Sequence, residues 1–242
     1  MNKAALSAIE TLLESDEVDL PLGRMITGRL FDIAAHYCDG EGGCHGIDHS
    51  ERVHRLSLYL GKNTGARLDI LSAAAIHHDI GRLEEMKSRG DTCHAEIGAA
   101  MARDILKGLD FNTDDIGRIT YCIQTHRYRN GNIKPETQEA KTLFDADKLD
   151  SIGAIGIGRA FLFAGQVGAR LHNSHIDLEH TRSYTYEDTA YREFKVKLCR
   201  VKDKMLTPIG RQLALERHEF MELFFKRLDK EIYGDQKDVK KR

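Results

Sequence analysis

Apolar residues recur along this chain at steps of 3 and 4, whereas runs alternating with period 2 are hard to find. That pattern predicts helices rather than strands. It marks helices near 2–16, 24–37, 48–62, 68–80, 93–108, 113–126, 136–149, 151–168, 187–199 and 208–233. The last is the best bounded, with Thr207 as N-cap, Pro208 at the first helical position and Gly234 just past the end. Its stripe runs Leu213, Phe220, Leu223, Phe224 and Leu228. The three prolines, at 21, 135 and 208, interrupt no periodic segment. Residues 172–188, HNSHIDLEHTRSYTYED, are polar and irregular and read as a long loop. No internal repeat appears, and the lysine-rich end DQKDVKKR reads as a frayed tail. The fold class is all-α, a single helical bundle.

Several of these stripes end in a group that is costly to bury. His49 shares a stripe with Val53, Leu56 and Leu60; His78 follows Leu71, Ala74 and Ala75. His94 leads Ile97, Met101 and Ile105; His126 ends Ile119 and Ile123; Asp147 extends Ala140 and Leu143. A single such histidine is explained by an imidazole at the core edge bonded to a backbone carbonyl. Five stripes that end this way are a different matter, because the ends of packed helices meet. Imidazole and carboxylate together form a ligand set for a divalent ion. A mixed nitrogen and oxygen shell fits Mn, Fe, Co, Ni, Zn or Mg and does not choose among them.

Composition narrows the remaining classes. A chain of 242 residues with 41% hydrophobic and 31% charged residues is ordinary for a soluble globular protein. The net charge of -2 gives no general pull toward nucleic acid or membrane. The most apolar stretch, SIGAIGIGRAFLFAGQVGA, is cut by Arg159 and studded with glycine, so no bilayer span is expected. The first residues, MNKAALSAIETLLESDEVDL, carry acids and no continuous apolar run, which argues against a secretory signal. The five cysteines (38, 44, 93, 122, 199) form no CxxC pair and read as reduced thiols of a cytoplasmic protein.

The order of these residues resembles a known signature. His49 in GIDHSERVHRLS, His78-Asp79 in AAAIHHDIGR and Asp147 in LFDADKLDSIGAIGIGRAF resemble the H…HD…D motif of the HD-domain metal-dependent phosphohydrolases. The likeness is closest to the small stand-alone bacterial members, for which DADKLDSIGAIGIGRAF is a marker. FKVKLCRVKDKMLTPIGRQLA also looks like that subgroup. The resemblance covers about residues 45–230. It implies an HD domain over 41–234, with a helical N-terminal extension over 1–40 and a disordered basic tail over 235–242.

The resemblance implies one divalent metal held by His49, His78, Asp79 and Asp147. His94 and His126 match positions where some HD proteins carry extra histidines; phosphate contact is favoured here over a second metal. The HHE…GYP segment of the cyclic-di-GMP phosphodiesterases is absent, since RYRNGNI follows His126, and this argues against that substrate. His77 is not a motif position and reads as a neighbour supporting the ligands, as do His45 and Asp150.

Hydrolysis of a phosphate ester or anhydride needs charge neutralisation and an activated water, and a divalent ion provides both. Asp79 is expected to ligate the ion and steer the water's proton. Arg52 and Arg82 are candidates for binding substrate phosphates, with Arg55, Arg127 and Arg129 also near the motifs. Lys148, flanked by Asp147 and Asp150, reads either as a catalytic cation or as half of a surface ion pair. Gly153, Gly156 and Gly158 lack the strand context of a phosphate loop and are expected to serve close helix packing. His172, His175 and His180 read as surface groups or as part of a flap.

The implied function is metal-dependent hydrolysis of a nucleotide or small phosphorylated metabolite through a metal-activated water. The alternative is a nucleotide-sensing protein whose HD site turns over poorly; four intact ligand positions argue against it. No basic face or aromatic platform points to nucleic acid. Self-association stays open.

Overall fold

One helix in this chain, Leu68–His77, is apolar on every side, with Ile70 through His77 all buried. Such a helix belongs at the centre of a fold, and the neighbouring elements surround it. The computed structural model describes residues 20–38, 46–88, 90–127 and 133–234. In chain order the helices are α1 (Gly23–Cys38), α2 (Ile47–Thr64), α3 (Leu68–His77), α4 (Arg82–Lys87) and α5 (His94–Lys107). They continue with α6 (Thr113–Thr125), α7 (Gln138–Leu149), α8 (Gly153–Gln166), α9 (Ala190–Val196) and α10 (Pro208–Tyr233). Two 3-10 segments, Leu178–His180 and Leu198–Lys204, complete the described elements, which include no strand. The chain is all-α.

The central α3 packs against α1, α2, α6 and α7, while α8, α9 and α10 form a second group joined through α10 to α7. Ile70, Leu71, Ile76 and Ile80 are at most 1% exposed. Burial of each contributes roughly 1.5–3 kcal/mol, which offsets the cost of the polar groups carried at the end of α3. Asn112, Thr137 and Thr207 accept from the backbone N–H groups of Asp115, Ala140 and Gly210, and so cap α6, α7 and α10. The expected Pro208 and Gly234 limits hold for α10.

Three elements differ from the sequence expectation. The helix expected over 68–80 stops at His77, and residues 78–81 turn through bonds from Ile80 N to His77 O and Arg82 N to Asp79 O. A short helix, α4, follows that turn, although hydrophobic spacing gives no sign of it, since none of its residues is buried. The helix expected over 187–199 is broken at Lys197 (φ -136°, ψ -57°) into α9 and the second 3-10 segment. The helix expected at 2–16, the tail at 235–242, His45 and Arg129 lie outside the described residues. No described helix is long and apolar enough to cross a membrane.

Gly81 lets two parts of the chain come together that a larger residue would hold apart. A Cβ there would lie 2.3 Å from the His94 carbonyl oxygen and 2.7 Å from Gly98 N, both main-chain atoms. The turn carrying His78 and Asp79 therefore rests directly on the start of α5. Gly153 (φ 77°) and Gly156 also sit in tight places, against Arg217 and the Ser151 carbonyl, whereas a Cβ at Gly158 would meet nothing within 4 Å.

Candidate metal centre

Five elements bring polar side chains to one end of the bundle. His49 lies in the first turn of α2, His78 and Asp79 in the turn after α3, and His94 at the start of α5. His126 follows α6 and Asp147 lies in the last turn of α7. Asp79 sits between two groups. Its Oδ2 is 3.5 Å from His49 Nε2 and 3.6 Å from His78 Nε2. Its Oδ1 is 3.4 Å from His94 Nε2 and 3.5 Å from His126 Nε2. Asp147 Oδ1 joins the first group, 3.5 Å from His49 Nε2 and 4.0 Å from His78 Nε2. Among the described residues two sets have donor atoms close enough to hold an ion, His49–His78–Asp79 and Asp79–His94–His126.

The partners of the far ring nitrogens decide what these histidines offer. His49 Nδ1 lies 2.7 Å from Asp150 Oδ2, and His94 Nδ1 lies 2.7 Å from Glu85 Oε2. His78 Nδ1 lies 2.8 Å from the Ala75 carbonyl, and His126 Nδ1 lies 2.6 Å from that of Ile123. A carboxylate or carbonyl oxygen only accepts, so each Nδ1 carries the proton and donates it. With the proton on Nδ1, a ring in its neutral form presents a bare Nε2 lone pair to the centre. His49 and His78 point these nitrogens at each other across 3.2 Å, as do His94 and His126. Two lone pairs that close repel unless something positive lies beside them. The donor set therefore fits a divalent cation.

The electrostatics separate His78 and His94 from His49. Burial pushes the His78 pKa down to about 4 and that of His94 down to about 3, so both rings are neutral. Burial also acts to lower His49, but hydrogen bonds to Asp147 and Asp150 outweigh it and leave the pKa raised. Burial disfavours ionisation of Asp147, yet the adjacent Lys148 and the bond to His49 hold its pKa well below the carboxylate range. Asp150 is buried as well, and its bonds from His49 and Arg52 bring it down to about 2.

The other candidates divide by their partners. Arg52 gives its N–H groups to Asp150 (2.7 and 3.1 Å) and Asp48 (2.6 Å), bracing the carboxylate behind His49. Arg82 donates through Nε to Asp79 Oδ2. Lys148 Nζ lies 2.6 Å from Asp147 Oδ2 and over the Phe144 ring. His77 stands outside both donor sets: its Nδ1 bonds Ala73 O, and its buried Nε2 meets no described partner. His172 packs on the Tyr191 and Tyr233 rings and His175 bonds Tyr233 Oη, so the loop gathers on α10.

Two residues escaped the sequence reading. Glu85 holds His94 with one carboxylate oxygen and Arg127 with the other. It lies in α4, whose charged sequence looks like plain surface. Arg159 bonds both the carboxylate (2.8 Å) and the carbonyl (3.2 Å) of Asp150. The available signal was a lone charge inside the apolar stretch of α8. Beside the centre lies a cleft of about 520 Å³, lined by Arg82, Ser151, Phe163, Tyr184, Arg192 and Lys197 among others.

Residues 46–152 match the family described as HD domain. The Bacillus subtilis protein YpgQ is 36% identical over 197 residues, covering 80% of this chain and 87% of that protein. The crystal structure of YpgQ in complex with ADP superposes with a TM-score of 0.67 at 30% identity, covering 86% of this chain and 98% of the other. An HD-superfamily hydrolase from Bacillus thuringiensis gives a TM-score of 0.66 at 26% identity, over 86% of this chain and 96% of the other.

Proposed function

The chain belongs to the HD-domain family, and from that premise we propose that it is a metal-dependent phosphohydrolase acting on a nucleotide or related phosphorylated metabolite. The observation that carries this reading is the arrangement of four imidazoles whose Nε2 atoms surround both oxygens of Asp79. His49, His78, Asp79 and Asp147 would hold a divalent cation. His94 and His126, with Asp79 Oδ1, offer a second cation position. A phosphate contact suits His94 less well, because burial keeps that ring neutral with its proton on Nδ1 toward Glu85, leaving Nε2 none to give an oxyanion. The complex of YpgQ with ADP supports a nucleotide as the ligand class.

A bound divalent ion supplies Lewis-acid polarisation of a phosphoryl oxygen and lowers the pKa of a nearby water. The protein's own groups account for the rest. Asp79, with an oxygen facing each histidine pair, orients both donor sets. Arg82 uses Nε on Asp79 and lines the cleft, so its terminal N–H groups suit the phosphates that are not transferred. Lys148 brings a cation to Asp147 and is 28% exposed, within reach of substrate charge developing beside that carboxylate. Behind them Asp150 and Glu85 fix the rings of His49 and His94.

The test is an assay of protein loaded with Mn2+ or Co2+ on nucleoside triphosphates, diphosphates and simple phosphate esters, beside Asp79→Ala. Hydrolysis by the parent and none by the variant supports the reading. Equal activity in both preparations, or none on any phosphate compound, sinks it.

A further inference from the structure

We propose that Tyr184 and Phe163 form a wall on which the base of a nucleoside phosphate stacks, making Tyr184 a specificity-determining residue. The inference rests on the hydrolase reading above and goes on to name the part of the molecule that tells a nucleotide from a bare phosphate chain.

The first observation is the composition of the cleft. Arg82 ties it to Asp79, and Arg159, Arg192 and Lys197 add positive charge along its wall, against the acids Asp188 and Glu193. Arg159, Arg192 and Lys197 already hold carboxylates, through Asp150, Asp188 and Glu193. Arg82 is paired too, but with Asp79 of the candidate metal centre, so it is the cation that marks the phosphate end of the cleft. The aromatic rings mark another part of the lining: Phe163 and Tyr184 meet edge to face with centroids 5.8 Å apart. At about 520 Å³ the cleft lies within the usual range for small-molecule sites.

The second observation is independent of the first. Tyr184 has φ 60°, a left-handed conformation that a bulky residue adopts at a cost. The surroundings enforce it. Asp188 Oδ2 accepts from Tyr184 N at 2.8 Å, and Asp188 is in turn held by Arg192, which also bonds Thr181 Oγ1. What this anchoring achieves is not burial, since Tyr184 is 79% exposed. A loop so tied, with a strained residue presenting an uncovered ring at the edge of a basic cleft, fits a flat apolar ligand face. Nucleobases stack on aromatic rings regardless of sequence, and removing such a ring weakens binding by about tenfold.

Calorimetric titration of the full chain, loaded with Mn2+, with ADP and with inorganic pyrophosphate separates the alternatives. The parent should bind ADP more tightly than pyrophosphate. Tyr184→Ala should reduce that ratio about tenfold, Tyr184→Gly should do the same while relieving the backbone, and Tyr184→Phe should retain it. Thermal unfolding of each variant checks that it folds, and the exposed position of the ring favours that. A ratio unchanged in the Ala and Gly variants overturns the proposal. So does a parent that hydrolyses phosphate compounds yet binds ADP no better than pyrophosphate, and that result leaves the hydrolase reading intact. A ratio that collapses on loss of the ring, in a protein without hydrolytic activity, supports the wall and sinks only the hydrolase reading.

Discussion

His49 donates its Nδ1 proton to Asp150 across 2.7 Å, and that one bond determines which nitrogen faces Asp79 and His78. Replacing Asp150 by Asn keeps the size of the side chain but removes the charge that holds His49, Arg52 and Arg159 together. Loss of such a carboxylate behind a ligating histidine lowers metal affinity about 10–100-fold. Competition for Mn2+ against a fluorescent chelator would measure it, and an unchanged affinity in Asp150→Asn would contradict the assignment.

Metal removal should be visible in stability as well as in activity. A cation that binds only the folded chain adds about 2.7 kcal/mol at a concentration 100 times its dissociation constant. Thermal unfolding with Mn2+ and with excess chelator should therefore differ by several degrees, and His49→Ala should lose the difference. Identical melting curves for the parent under both conditions would count against any cation at this centre.

The contact under Gly81 predicts an effect from a single methyl group. In Gly81→Ala the new carbon meets the His94 carbonyl and Gly98 N, neither of which can swing aside. Such overpacking costs roughly 1–3 kcal/mol. Chemical denaturation should show this loss, together with weaker metal binding, because His94 moves with its own backbone. A variant as stable as the parent would mean that the turn and α5 separate freely.

Acid should destabilise the protein through His54. This ring is 3% exposed, bonds Ser72 Oγ at 2.8 Å and packs edge-on to Phe31. Burial, and then the neighbouring Arg55, push its pKa down to about 4 from the ordinary 6.5. Between those two values the unfolded chain takes up a proton that the folded chain refuses. The stability contribution is thus complete above pH 6.5 and declines as the pH falls toward 4, by up to about 1.4 kcal/mol per unit. Denaturation midpoints at pH 7 and pH 5 should differ less in His54→Gln than in the parent; equal differences would refute this.

The helices and the convergence of His49, His78 and Asp147 were legible for one reason. Each of these three closes an apolar stripe, and apolar stripes determine how helices pack, whereas Asp79 came only from the resemblance to the H…HD…D motif. Asp150, named as a supporting group, closes no stripe and sits at the C-terminal end of α7, so stripe logic did not place it. That logic also could not locate the end of α3, because the apolar residue Ile80 continues the spacing while the backbone has already turned at His78. Nor could it find Glu85, whose partners His94 and Arg127 lie on other elements and whose helix buries nothing. The state of His94 and His126 was likewise invisible, since it depends on which oxygen each Nδ1 meets.

The main-chain contact at Gly81 has a bearing on how this centre changes over time. Side chains around a cluster can adopt new rotamers and admit an ion of another radius. The step from the His78–Asp79 turn to His94 is instead measured out in peptide units pressed against one another at Gly81, His94 and Gly98. The reach between the two histidine pairs is a property of the scaffold's calibre. Changing that reach means exchanging glycines that carry no donor atom themselves, while the imidazoles stay as they are.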